Sequence, residues 1–160
     1  MKGYSSDLYI LAFDHRGTLT KGLLGVEGRA PSGDEVARVS SMKDIIFDGF
    51  LEARNQGIEG GDPAILVDEA FGIQVQEKAK EMGIKFAAPV EKSGQKVFDF
   101  EYGDEFGEKI KEVNADFVKI LVRWNPDDDT DTRQIQGERI KTLSDWLDEN
   151  ERKFLLEFLV

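Results

Sequence analysis

Lys119 is an amine set in the apolar run Phe117-Val118-Lys119-Ile120-Leu121-Val122. An unpaired ammonium buried in such a run is very costly, so the side chain must find a carboxylate or lose its proton. Glu157 is the complementary case, a carboxylate among Leu155, Leu156, Phe158 and Leu159. The two are expected to meet, with Asp14 as the other carboxylate that could pair with Lys119. A buried Glu–Lys pair serves structure as readily as catalysis. Asp14-His15-Arg16-Gly17 follows the first apolar run and reads either as a salt-bridged turn or as a ligand-binding corner. Asp68-Glu69 sits where a helix should start, so these carboxylates either cap it or face a ligand. Glu91-Lys92-Ser93-Gly94 follows the third run, where Lys92-Ser93-Gly94 could bind an anion, and Arg123 stands with Trp124 and Asn125 after the lysine-bearing run. No GxxxxGK[ST] or GxGxxG follows any of these runs, which leaves a nucleotide reading with little support.

Five apolar runs carry these groups: Leu8–Phe13, Ala64–Val67, Ile84–Ala88, Phe117–Val122 and Phe154–Val160. Their near-continuous apolar character predicts strands of a parallel sheet buried on both faces. Helical spacing predicts helices over Met42–Gln56 (stripe Ile45, Ile46, Gly49, Phe50, Ala53), Ile73–Met82, Glu105–Val113 and Thr130–Asn150. In the last of these Ile135, Ile140, Leu143 and Leu147 should face inward. Thr18–Ser41, rich in Gly and Ser, reads as a long loop, and loops of that length are often functional. Strict alternation of strand and helix implies right-handed crossovers and an α/β fold of parallel β/α units. In such folds chemistry gathers at the carboxyl ends of the strands, and each run above ends in or contains such groups.

Composition narrows the function. A net charge of −11 opposes sequence-independent binding to nucleic acid or to anionic membranes. No cysteine means no disulfide and no thiolate metal site, and a single histidine, His15, cannot supply the set that most catalytic zinc sites use. The start shows neither a signal peptide nor a membrane span. The expectation is a cytoplasmic protein without metal or cofactor, forming one domain over residues 1–160. That length is short of the roughly 250 residues of a full (β/α)8 barrel. Two architectures fit: a flavodoxin-like domain ending on its last strand, or a partial (β/α)8 TIM barrel of about four and a half units that ends in strand five.

At these strand ends the chain resembles the tagatose 1,6-bisphosphate aldolase family, and within it the aldolase-like domain fused to 5-dehydro-2-deoxygluconokinase in inositol catabolism. The resemblance is carried by Leu11–Gly17, Ile65–Gly72, Glu91–Gln95, Phe98–Gly103, Ala115–Pro126 and Phe154–Glu157. It covers nearly all 160 residues but only the first half of the family's length.

The resemblance implies a class I aldolase that cleaves a phosphorylated keto-sugar to dihydroxyacetone phosphate and an aldehyde. Glu157 would be the acid/base, Lys119 the substrate-polarising lysine and Asp14 the orienting carboxylate. His15, Arg16, Asp68, Glu91, Lys92 and Arg123 would line the substrate site. His15 stands where the tagatose enzymes have Gln, which leaves the sugar open. The family's Schiff-base lysine lies on a sixth strand, and its phosphate loops on the seventh and eighth, so these 160 residues alone are expected to be inactive. The expected partner is a second copy or the remainder of the barrel. The competing readings are a non-catalytic sugar-phosphate-binding or regulatory module and a doubly wound signalling or cofactor-binding domain.

Overall fold

In a computed structural model that describes residues 3–57 and 61–160, strands and helices alternate. The elements are β1 (Leu8–Ala12), α1 (Gly17–Leu24), α2 (Gly33–Asn55), β2 (Asp62–Leu66), α3 (Glu69–Glu81), β3 (Lys85–Pro89), a 3-10 turn (Gly103–Glu105), α4 (Phe106–Val113), β4 (Phe117–Arg123), α5 (Thr130–Glu149) and β5 (Lys153–Leu159). The fold is α/β with five parallel strands. Two compact units divide the chain, one spanning Tyr4–Phe86 and the other built on Ala87–Val160. Among the described residues no helix is long and apolar enough to cross a membrane.

In the first unit β1 pairs with β2 in parallel, from Leu8↔Asp62 to Ala12↔Leu66. Its helices begin where short polar side chains can accept a backbone N–H that has no partner within the helix. Ser32 and Glu35 form a capping box at the start of α2, and Asp68 caps α3 by accepting from the Phe71 N–H. Residues 18–41 are therefore not one loop. They hold α1, the turn that closes it at Gly25 (φ 66°), and the first turns of α2. The buried stripe of α2 also differs from the expected one. It is Val39, Lys43, Phe47 and Phe50, while Ile45 is 70% exposed and Ala53 lies in solvent. Spacings of four, four and three residues put those four side chains on one face.

In the second unit β3 pairs with β4 (Ala87↔Phe117 to Pro89↔Lys119), and β4 pairs with β5 along all seven residues. Successive strand residues point to opposite faces. Val118, Ile120 and Val122 enter a core with Val90, Phe98, Ile110, and Leu143 and Leu147 of α5. That alternation places Lys119, Leu121 and Arg123 on the other face. Along α5, Leu143 and Leu147 are buried as expected, but Ile135 is 45% exposed and the neighbouring Gln136 takes the inner position. The outer strands differ from the sequence expectation too. β1 and β5 are half-exposed, with Tyr9, Leu11, Leu156, Phe158 and Leu159 open to solvent, whereas β2, β3 and β4 are largely buried.

An aromatic row, Phe98–Phe100–Phe106–Trp146, closes this core, with ring centroids 5.0, 4.3 and 5.9 Å apart. The indole lies over Gly107, where an added Cβ would sit 2.6 Å from Trp146 Nε1. Gly107→Ala must push the indole aside, and overpacking of this kind costs about 1–3 kcal/mol. We expect a lower melting temperature and an altered Trp146 emission, read in a Trp124→Phe background. Unchanged emission and stability would show that the indole moves without cost.

Candidate functional site

The second unit brings Lys119 between two carboxylates. Its Nζ donates to Glu91 Oε1 at 3.1 Å and lies 3.2 Å from Glu157 Oε2. Register explains the second contact. Lys119 pairs with Leu155, so Glu157 is two residues further along β5 and on the same face of the sheet. The first contact comes from chain direction. The Val90 N–H donates to the Lys119 carbonyl, and the next residue, Glu91, then turns its carboxylate onto the same lysine.

The three groups differ in access. The Lys119 side chain is 2% exposed and that of Glu91 10%, whereas Glu157 is 46% exposed. A ligand can therefore reach the Glu157 carboxylate directly and can meet the lysine by displacing that one partner. The cluster thus joins one buried and one half-open carboxylate through a single lysine. Chemically it offers a fixed cation able to hold a substrate oxygen and an open carboxylate able to carry a proton.

Lys92 and Arg123, both exposed, stand beside this cluster in the chain but are engaged differently. The Lys92 backbone N–H donates to the Asp99 carbonyl, and Arg123 Nη1 donates to the Gln95 carbonyl at 3.2 Å. Glu91 and Phe100 form an isolated antiparallel bridge, so residues 90–101 leave β3, reverse and return as a two-armed excursion.

The remaining expected residues lie in the first unit. Asp14, His15 and Arg16 follow β1, with His15 exposed and the other two partly covered. Asp68 is 1% exposed, and both its oxygens are taken. Oδ1 accepts from the Phe71 N–H, and Oδ2 accepts from Lys43 in a close ion pair. It thus serves as a helix cap and as a counter-ion at once. Lys43, which the sequence reading did not single out, is fully buried and also donates to the carbonyls of Phe13 (2.8 Å) and His15 (3.0 Å).

Three acceptors around one nitrogen match the three protons of an ammonium. Burial opposes that charge, pulling the Lys43 amine below its ordinary range and pushing the Asp68 carboxyl above its own; each partner's charge counters the shift in the other. The effect of the pair is to fasten the segment carrying Asp14 and His15 to the start of α3. Lys43 was legible in principle, because it falls on the same helical stripe as Val39, Phe47 and Phe50. Among the described residues no three His, Cys, Asp or Glu side chains cluster as a metal site.

Residues 1–160 match the family model described as "Uncharacterized protein conserved in bacteria (DUF2090)", and the chain belongs to that family. No curated protein matches it.

Proposed function

We propose that this member of the DUF2090 family carries the proton-handling and substrate-polarising part of a Schiff-base aldolase site for a phosphorylated keto-sugar. The observation that carries the reading is the Lys119 ammonium held between Glu91 and the half-open Glu157. In aldol cleavage the breaking C–C bond leaves an electron pair that an iminium can accept. A carboxylate takes the hydroxyl proton as the bond breaks and returns a proton to the carbon afterwards. Glu157 fits that task because solvent and substrate reach it. Lys119 fits the task of holding a substrate oxygen, since an amine already paired with carboxylates is a poor nucleophile. Glu91 is its buried anchor.

The iminium-forming amine is then a different lysine, which the resemblance places on a sixth strand. The remainder of the barrel would supply it. Parallel pairing of consecutive strands, with helices between them, supports reading the β/α units as part of a (β/α)8 barrel.

Calorimetric titration with dihydroxyacetone phosphate, followed by borohydride trapping and intact mass, tests this. We expect no covalent adduct on Lys119, and binding once the remainder of the barrel supplies its phosphate loops. A stoichiometric adduct at Lys119 would overturn its role as the polarising cation. No binding of dihydroxyacetone phosphate by that assembly would overturn the substrate class.

A further inference from the structure

Gln136 is 2% exposed in the first half of α5, an unusual place for an amide. Its two ends are used in opposite directions. Oε1 accepts from the Phe98 N–H at 2.9 Å, and Nε2 donates to the Arg123 carbonyl at 2.8 Å. Phe98 begins the returning arm of the 90–101 excursion, and Arg123 is the last residue of β4. One side chain thus ties two pieces of backbone that both lead to the lysine site.

The connection can be followed bond by bond. From Phe98 the returning arm runs into Asp99, whose carbonyl accepts the Lys92 N–H at 2.8 Å, and then to Phe100, the bridge partner of Glu91. Glu101 donates to the Val90 carbonyl at 3.0 Å and closes the two arms below Glu91. On the other side, β4 runs back four residues from Arg123 to Lys119. A second α5 residue works on the same arm. Arg139 Nη1 donates to the Phe98 carbonyl at 2.7 Å, and its guanidinium lies 3.5 Å from Asp99. At the tip, Gly94 adopts φ 77°, the left-handed conformation that lets the arms reverse.

A twelve-residue excursion has no reason of its own to return at one height. The outgoing arm is held where the Val90 N–H meets the Lys119 carbonyl, and the returning arm is held by Gln136 and Arg139 of α5. We infer that Gln136 is a positioning residue, holding the excursion against the end of β4 so that Glu91 meets Lys119. Burying the amide is tolerable because both its ends are satisfied, and replacing it with an apolar side chain leaves the Phe98 N–H and the Arg123 carbonyl without that partner. The inference deepens the proposed aldolase site and rests on that reading for its functional meaning.

The test reads the lysine itself. Lysines carrying 13C at Cε are followed by NMR, with Lys119 assigned through Lys119→Arg and the broken pair defined by Glu91→Gln. In Gln136→Leu we expect the Lys119 signal to move most of the way to its Glu91→Gln position. In Leu147→Ala, a core change of comparable cost to the fold, it should stay put. A folded Gln136→Leu protein whose Lys119 signal is unmoved would overturn the inference. If that variant does not fold, Arg139→Met is read in its place. A smaller movement in the same direction supports the clamp, and no movement overturns it. Dihydroxyacetone phosphate binding, measured with the remainder of the barrel present, separates the two ideas. No binding by the wild-type assembly sinks the substrate reading while a displaced signal still establishes the clamp.

Discussion

Asp68→Ala is expected to cost about 3–5 kcal/mol of folding stability, the scale on which breaking one side of a buried ion pair destabilises a protein. The variant leaves the fully buried Lys43 ammonium without its counter-ion and removes the cap of α3. Chemical denaturation at neutral pH reads the loss. A cost near that of a surface substitution would mean that water reaches Lys43.

The double variant Lys43→Met with Asp68→Leu should behave differently, because replacing both charges by apolar groups is often neutral or stabilising. The pH sign agrees. A carboxyl whose folded pKa is raised, as for Asp68, contributes stability in acid that is lost as the pH rises through the raised value. An amine whose folded pKa is lowered, as for Lys43, contributes stability in alkali that is lost as the pH falls through the lowered value. Both shifts oppose the ionised pair, so the surrounding fold sustains it where both groups are charged. The double variant should therefore lose more stability, relative to wild type, towards acid and towards alkali than between them.

Lys119→Met and Glu157→Gln should separate structure from chemistry at the other cluster. The methionine leaves Glu91 buried without the lysine, and a cost of about 3–5 kcal/mol is expected. Glu157 is 46% exposed, and its contact with Lys119 is reached by solvent. Glu157→Gln should thus keep the fold within about 1 kcal/mol, the usual worth of a solvent-exposed ion pair. In an assembly that turns over a phosphorylated ketose, the same change should lower kcat by about a hundredfold or more, the scale of acid–base catalysis. Full turnover in the glutamine variant would remove Glu157 from the mechanism.

The five strands were legible as short apolar runs, although β1 and β5 are half-exposed rather than buried, and Lys119 and Glu157 stood out as ionisable groups inside them. Their meeting followed from alternation and neighbouring position, which are regular properties of a sheet. Lys43 and Gln136 were hidden for the opposite reason. Both lie on helices, where a lysine or glutamine ordinarily marks the solvated face. Each becomes visible only when the apolar positions are assigned to the right stripe, with Val39, Phe47 and Phe50 around one and Leu143 and Leu147 following the other. The expected stripe of α2 differs from the buried one because a helix counted from Met42 excludes Val39, whereas α2 begins at Gly33. The excursion after β3 was not legible at all. Its arms pair over only a few residues, too short to produce a strand-like pattern, and Glu91 reaches Lys119 only because those arms close.

The β4–β5 ladder also has a kinetic meaning. Every pair from Phe117↔Lys153 to Arg123↔Leu159 joins residues 36 apart, and α5 occupies twenty of the intervening positions. As open chain, a segment of that length must find a seven-residue register against the loss of loop entropy. Once coiled into a helix it rises only about 1.5 Å per residue, which shortens the search. Helices form on a timescale of about 0.1–1 μs, well before strands with distant partners align. The helix that supplies Gln136 to the finished structure would then act earlier, as the spacer that delivers Glu157 to the level of Lys119.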